Sequence, residues 1–381
     1  MEVLPGKIKG RFVLRFLALN WRDIEHPEAG GAEVHLHEIL TFLVKWGHNV
    51  TQISSAFPEG ESQAVVDGVR ILRSGHWFDA NFTLPIFARR IMKSNTFDAV
   101  IEDINKLPFF MPLYTDIPVL GVVPHLFGTT VFREANWLIG SYVVIMEKLI
   151  PYIYKNNRFM VISPSTKSDL SGRGIAPDRI DVVLCGLNHQ LYRNLDLERN
   201  EDPTIVHLGR LRKYKSVEIA IRAVEIIRKK LPKAKLLIIG DGPYKSVLED
   251  TVEKAGMEEA VEFKGYMETE DVVKCLNKAH LLINPSPKEG WGLTVVEANA
   301  CGMPVVASDR PGLRDSVWVG ETGYLVPYGD ENAFAEKSLE LLLNRDLWSK
   351  MSKNALRRVK ELTWERCARE SESILKRVVE G

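Results

Sequence analysis

The stretch AHLLINPSPKEGWGLTVVEANACGMPVVAS, residues 279–308, changes its hydrophobic period twice. AHLLINPSP is an apolar run closed by Pro285, Ser286 and Pro287, the mark of a buried parallel strand that stops at a loop. LTVVEANAC then carries apolar residues at helical spacing, Gly302 stands at the usual terminating position, and Pro304 cannot continue the turn. PVVAS reads as the next strand. Strand, glycine loop, helix, strand is a right-handed crossover, and it sets the loop at the carboxyl edge of the sheet, where ligands bind.

The residue types in that loop suggest the ligand. Gly290 and Gly292 let backbone approach it closely, with Trp291 between them, and the free amides opening the helix near Leu293 and Thr294 favour a phosphate. Glu297 lies one to two turns into that helix; beside a phosphate it is better suited to accept hydroxyl hydrogen bonds, as from a ribose, than to bind a second anion. Glu289, ahead of the helix, is free to reach another part of the ligand. The pattern suits a sugar nucleotide; the plain alternative is an ordinary crossover with solvated glutamates.

The rest of the chain repeats the unit. RFVLRFLALN, NVTQISS, VRILRSG, DAVIEDI, VLGVVPH, RFMVISPS and IDVVLCG read as strands in the first half. TIVHLGR, AKLLIIGDG, VEFKGY, HLLINPS, PVVASD and GYLVP read as strands in the second. Helical patterns alternate with them, so the expected fold is α/β with two Rossmann-like, doubly wound domains facing across a cleft. The boundary is placed near residue 188, giving domains 1–187 and 188–363, and an amphipathic helix from Trp364 could join either.

Composition narrows the function. With 50 basic and 50 acidic residues the net charge is zero, and each half is close to neutral, so nothing argues for nucleic-acid binding. Cys185, Cys275, Cys301 and Cys367 form no C-x-x-C pair and read as free thiols of a reducing cytosol. MEVLPGKIKGR has no apolar core of a signal peptide. WLIGSYVVIMEKLIPYIY, residues 137–154, is broken by Glu147, Lys148 and Pro151 and falls short of the ~20 apolar residues of a spanning helix. That tract, with Arg89, Arg90 and Lys93 among Ile86, Phe87, Ile91 and Met92, could form a membrane-surface patch for a lipid-linked substrate, or simply core helices with a solvated edge.

Other residues could carry chemistry. HLGRLRKYKS sets Arg210 and Lys215 five positions apart after a strand, two cations able to stabilise a pyrophosphate leaving group, or a solvated basic loop. Gly30 and Gly31, opening the first helix, make a second anion-facing helix start or a tight turn. Gly240 and Gly242 in IIGDGPYK lack the third glycine of a dinucleotide fingerprint. His125 closes a strand and points to a sugar hydroxyl, a proton transfer, or a structural role. His35 and His37 do not share a helical face, and no two aspartates are separated by one residue, so no metal site is expected.

These residues resemble the retaining glycosyltransferases of the GT-B fold, family four. The resemblance rests on Gly30-Gly31-Ala32-Glu33, Gly209-Arg210 with Lys215, Gly240 to Pro243, and Glu289 to Glu297 running into ACGMPVVASDRPGLRDSV and ETGYLVPYGD. It implies that Glu297 holds the donor ribose, Arg210 and Lys215 the diphosphate, and the backbone of Gly290, Trp291, Gly292, Leu293 and Thr294 the donor sugar and phosphate, with Gly31 contributing from across the cleft. It implies that Glu289 faces the reacting carbon, that His125 lines the sugar pocket, and that the Trp364 helix packs back on the first domain. A UDP- or GDP-linked sugar would be the co-substrate and a glycan or lipid-linked hydroxyl the acceptor, with no further cofactor and no metal. Ser216 stands where glycine is usual, and Trp291 and Thr294 where phenylalanine and proline are frequent. HLFGTTVFREANW matches no acceptor pattern. A GT-B phosphorylase, a nucleotide-sugar epimerase and a non-catalytic nucleotide-sugar sensor share the same motifs.

Overall fold

A computed structural model of the chain describes residues 7–8, 11–133 and 135–381. It divides into two compact units, residues 1–186 with 364–381, and residues 187–363.

In the first unit a short ribbon, β1 (Lys7–Ile8) and β2 (Arg11–Phe12), precedes β3 (Arg15–Leu19), α1 (Gly31–Lys45), β4 (Asn49–Ser54), β5 (Gln63–Val66) and β6 (Val69–Arg73). There follow α2 (Ala80–Ser94), β7 (Ala99–Asp103), β8 (Val119–Val123), α3 (Trp137–Ile153), β9 (Arg158–Val161), α4 (Pro164–Gly172) and β10 (Ile180–Val182). The eight-stranded sheet runs β10-β9-β8-β7-β3-β4-β6-β5, parallel except for the β5–β6 hairpin. Strands buried on both sides, such as VLGVV and AVIED, explain why their sequences do not alternate.

Alternate residues divide between two helical layers. Leu17, Leu19, Val100 and Val119 face a core shared with Ala80, Leu84 and Ala88 of α2 and Val143 of α3. Beside α1 lies the last helix, α12 (Trp364–Glu380). It is fixed by burial of Ile374, Leu375 and Val378, each worth about 1.5–3 kcal/mol, and by His48 Nε2 at 3.2 Å from Glu372 Oε1.

The second unit contains β11 (Thr204–Leu208), α5 (Val217–Arg228), β12 (Lys235–Ile239), α6 (Lys245–Ala255), β13 (Val261–Gly265), α7 (Thr269–Lys278) and β14 (Leu281–Asn284). It continues through α8 (Leu293–Ala300), β15 (Val305–Ser308), α9 (Leu313–Ser316), β16 (Gly323–Val326), α10 (Glu331–Leu343) and α11 (Arg345–Val359). All six strands are parallel in the order β13-β12-β11-β14-β15-β16. Side-chain caps start its last helices: Asp330 accepts from Ala333 N–H at 2.9 Å and Asn344 from Leu347 N–H at 3.0 Å.

Candidate active site

The order of the second sheet reverses between β11 and β14. Connections leaving those two strands go to opposite faces, which opens a crevice at their carboxyl ends. Both basic and acidic stretches singled out in the sequence end there. The loop after β11 carries Gly209 and the exposed Arg210, then a single 3-10 turn, Lys213–Lys215. The loop after β14 carries Glu289 through Gly292 to the start of α8.

Lys215 Nζ donates to Glu289 Oε1 at 2.5 Å, with the two side chains 15% and 16% exposed. Burial works against the charge on Lys215, but the Glu289 carboxylate and the Tyr214 hydroxyl outweigh it and raise its pKa. Below this pair lies the buried His207 of β11, whose Nδ1–H donates to the Ile283 carbonyl of β14 at 3.3 Å. Burial, and then the positive charge of Lys215, push His207 down to about 4. It is therefore neutral at physiological pH, and its Nε2 has no partner.

On α8 the half-buried Glu297 accepts a hydrogen bond from the Tyr192 hydroxyl. Burial outweighs that bond and pushes the carboxyl up to about 7. Gly292 caps α8 at φ +86°, where a Cβ would lie 2.8 Å from Ser316 Oγ, so the turn admits no side chain. Leu293 and Thr294 open the helix, and Thr294 Oγ1 accepts from Asn284 Nδ2 at 3.3 Å. Trp291 is buried with its Nε1 unpaired, as are Ser286 Oγ and Ser308 Oγ near the carboxyl ends of β14 and β15. Buried polar atoms without partners are uncommon in native proteins, and several here lie along one sheet edge.

Gly242 has a packing reason that needs no ligand. A Cβ there would lie 2.3 Å from the Leu211 carbonyl, and Leu211 N–H donates to Asp241 O at 2.9 Å, binding the β12 loop to the Arg210 loop. Ser216, at the glycine-favoured position, takes φ +53° and ψ +40° and is held there by its Oγ at 3.0 Å from the Tyr328 hydroxyl.

The first sheet also reverses its order, between β3 and β7, and gathers polar groups there. Glu33 Oε2 accepts from Gly30 N–H at 2.8 Å, and Glu33 Oε1 accepts from Asn105 Nδ2 at 3.1 Å. Asn105 Nδ2 also donates to Asn20 Oδ1 at 3.0 Å, and Asn20 Nδ2 to Asp103 Oδ2 at 2.9 Å. All four side chains are buried. Burial, with repulsion from Glu33 and Glu102, holds Asp103 well above the usual carboxylate range. The Gly30 amide is thus satisfied by the helix's own carboxylate. Gly31 is the first residue of the helix.

His125 follows β8, half-buried, with its ring 4.9 Å from Phe127 in an edge contact. Its loop is fastened by Glu147, which accepts from Phe127 N–H at 2.6 Å, Gly128 N–H at 2.9 Å and Arg173 Nη1 at 3.0 Å. Among the described residues no three His, Cys, Asp or Glu side chains gather as metal ligands.

Comparison with known families places this architecture. Residues 29–191 match the model for Glycosyltransferase Family 4, and residues 190–358 match the adjoining model for Glycosyl transferases group 1. The chain belongs to the group 1 glycosyltransferases. The enzyme has the GT-B fold: it superposes on sucrose-phosphate synthase from Thermosynechococcus elongatus with a TM-score of 0.81 over 96% of this chain and 99% of that one, at 22% identity. It is 24% identical over 346 residues to glycogen synthase of Mycobacterium tuberculosis, covering 81% of each chain. To N-acetyl-alpha-D-glucosaminyl L-malate synthase of Bacillus anthracis it is 31% identical over 172 residues, 45% of this chain and 44% of that relative.

The structure of this glycosyltransferase thus brings Gly209, Arg210, Lys215 and Glu289 through Glu297 to one sheet edge, while Gly30, Gly31 and His125 lie at the carboxyl edge of the other unit's sheet. Sequence reading did not single out His207, Tyr192 or Asp103, and named Glu33 only within the motif Gly30-Gly31-Ala32-Glu33. A histidine two residues before Gly209, at the end of the first strand of its sheet, was the available signal for His207. Nothing local marks Tyr192, whose partner is more than 100 positions away.

Proposed function

We propose that the enzyme moves a sugar, with retention and without a metal, from a UDP- or GDP-linked donor to a hydroxyl of a glycan or lipid-linked acceptor. The carrying observation is the Lys215–Glu289 pair at the β11/β14 reversal. A diphosphate entering that crevice competes for Lys215, and with Arg210 it supplies the cationic pair that stabilises the leaving group. Glu289, released from Lys215, then faces the donor sugar. Glu297 accepts the ribose hydroxyls, and the amides from Gly290 through Thr294 lie against sugar and phosphate. Gly31 and His125, at the first unit's own sheet edge, are proposed contacts to the donor, His125 as a hydrogen-bonding partner of a sugar hydroxyl. The bond from C1 to the phosphate oxygen breaks as the acceptor oxygen bonds C1 on the same face, and the leaving phosphate takes the acceptor proton. Glu289 positions and stabilises charge without forming a covalent bond.

Free cysteines, three of the four buried, fit a reducing cytoplasmic setting, and a peripheral contact with the inner membrane face completes the reading. The test is transfer from a panel of UDP- and GDP-sugars in EDTA, with the product anomer assigned by NMR. Retention in EDTA, lost in Lys215→Ala, is expected. Inversion, dependence on metal, or turnover only with inorganic phosphate would overturn it, and binding of nucleotide with no transfer would mark a sensor.

A further inference from the structure

α3 is apolar on two opposite faces. Inward it buries Gly140, Val143, Glu147 and Ile150. Outward, Leu138, Tyr142, Ile145, Leu149 and Tyr152 repeat every three or four residues, and all are exposed, Ile145 by 57% and Tyr152 by 78%. Trp137 at the helix start is 71% exposed. A helix apolar all round belongs in a core, and among the described residues the outward stripe has no covering partner.

A second helix over the same buried cluster carries a similar surface. α2 shares its buried cluster with α3 and presents Phe82 and Ile86 outward, with Trp77 and Phe78 exposed just before it. On the same outward rows follow the exposed Arg89, Arg90 and Lys93, and α3 adds Lys148. α2 has no acidic residue, and the single acid of α3, Glu147, is buried and committed to Phe127, Gly128 and Arg173. The face is therefore aromatic, aliphatic and cationic, with no exposed carboxylate on either helix. No helix among the described residues is long and apolar enough to cross a membrane.

We propose that the α2/α3 face of the first unit docks on a bilayer surface rich in anionic lipid. Aromatic and aliphatic side chains enter the headgroup boundary while Arg89, Arg90, Lys93 and Lys148 meet lipid phosphates. The charge decides against the other occupant of such a face: a second copy would bring the same cations together, whereas anionic headgroups neutralise them. The inference rests on the proposed lipid-linked acceptor for its purpose and on this surface for its substance. Docking would hold the first unit beside acceptors that cannot leave the bilayer.

The experiment is flotation of the full chain with vesicles of phosphatidylcholine alone or with a third phosphatidylglycerol, alongside sedimentation velocity without lipid. Binding to the anionic vesicles by a monomeric protein is expected. Each cation near an anionic surface is worth roughly fivefold, so Arg89→Gln with Arg90→Gln and Lys93→Gln weakens binding about a hundredfold. Ile145→Glu with Leu149→Glu abolishes it, while both sets keep the wild-type melting temperature and its shift on adding nucleotide. Failure of the wild type to bind either vesicle, or a stable dimer dispersed by Ile145→Glu, overturns the docking. Loss of the nucleotide shift in the wild type would instead strike the donor reading and leave the docking standing.

Discussion

The two sheets reverse strand order in the same way and treat the polar groups at the reversal oppositely. In the second unit Lys215 and Glu289 come from separate loops, keep some exposure, and meet in one ion pair. In the first, Asn20, Glu33, Asp103 and Asn105 are buried in a chain of internal hydrogen bonds. A partly exposed pair can exchange partners for a ligand at modest cost. Opening the buried chain, in which Asp103 Oδ1 and Asn105 Oδ1 already lack partners, would strand further groups and costs more. On the proposed reading one topology yields an edge open to partner exchange in the second unit and a largely internal polar chain in the first, and the side chains decide which.

Breaking the structural edge should cost stability. Arg73 grips Asp23 through Nε at 2.7 Å and Nη2 at 2.8 Å, both side chains almost fully buried, and fixes the segment after β3. Arg73→Ala strands the Asp23 carboxylate and should cost about 3–5 kcal/mol, read from urea unfolding. Breaking the reactive edge should cost rate. Lys215→Ala is expected to lower kcat by about 100- to 1,000-fold, with the melting temperature nearly unchanged.

Glu297 sharpens the contrast through pH. Its carboxyl, held up to about 7, is mostly protonated at pH 6 and ionised at pH 8, so donor affinity should climb across that interval. Glu297→Gln should flatten the profile and weaken binding about tenfold, by loss of a charged hydrogen bond. In the unliganded protein the sign is reversed. Its stability contribution is present below the ordinary carboxyl value of 4.5 and is lost as pH rises through about 7, which the same variant abolishes. The smallest effect belongs to Ser216→Gly. Relief of left-handed strain, about 1 kcal/mol, offsets loss of the Tyr328 hydrogen bond, also about 1 kcal/mol, so chemical denaturation should barely shift.

The α/β class was legible because each strand in AKLLIIGDG or PVVASD is a short apolar run stopped by glycine or by Asp, and each helix returns at a fixed period. The β5 edge strand was passed over, although Asp67 and Gly68 form the two-residue turn, at φ +49° and +83°, that marks a hairpin. At the site, loops next to strand ends could be found from sequence, since glycine and charge flag them. What charge alone could not give was pairing: Lys215 meeting Glu289, 74 positions away, is a product of strand order. Glu147 shows the same limit from the other side, because a carboxylate that interrupts an apolar tract looks like a break in a helix until its bonds to Phe127 and Gly128 are seen.

The most direct test of the Lys215–Glu289 edge as the donor site is the melting temperature with saturating UDP or GDP in EDTA, for wild type and Lys215→Ala. A ligand that binds the native state alone raises that temperature. One nucleotide should raise it in the wild type and fail to do so in the variant. An equal rise in both, or a rise that disappears with EDTA, would contradict the account.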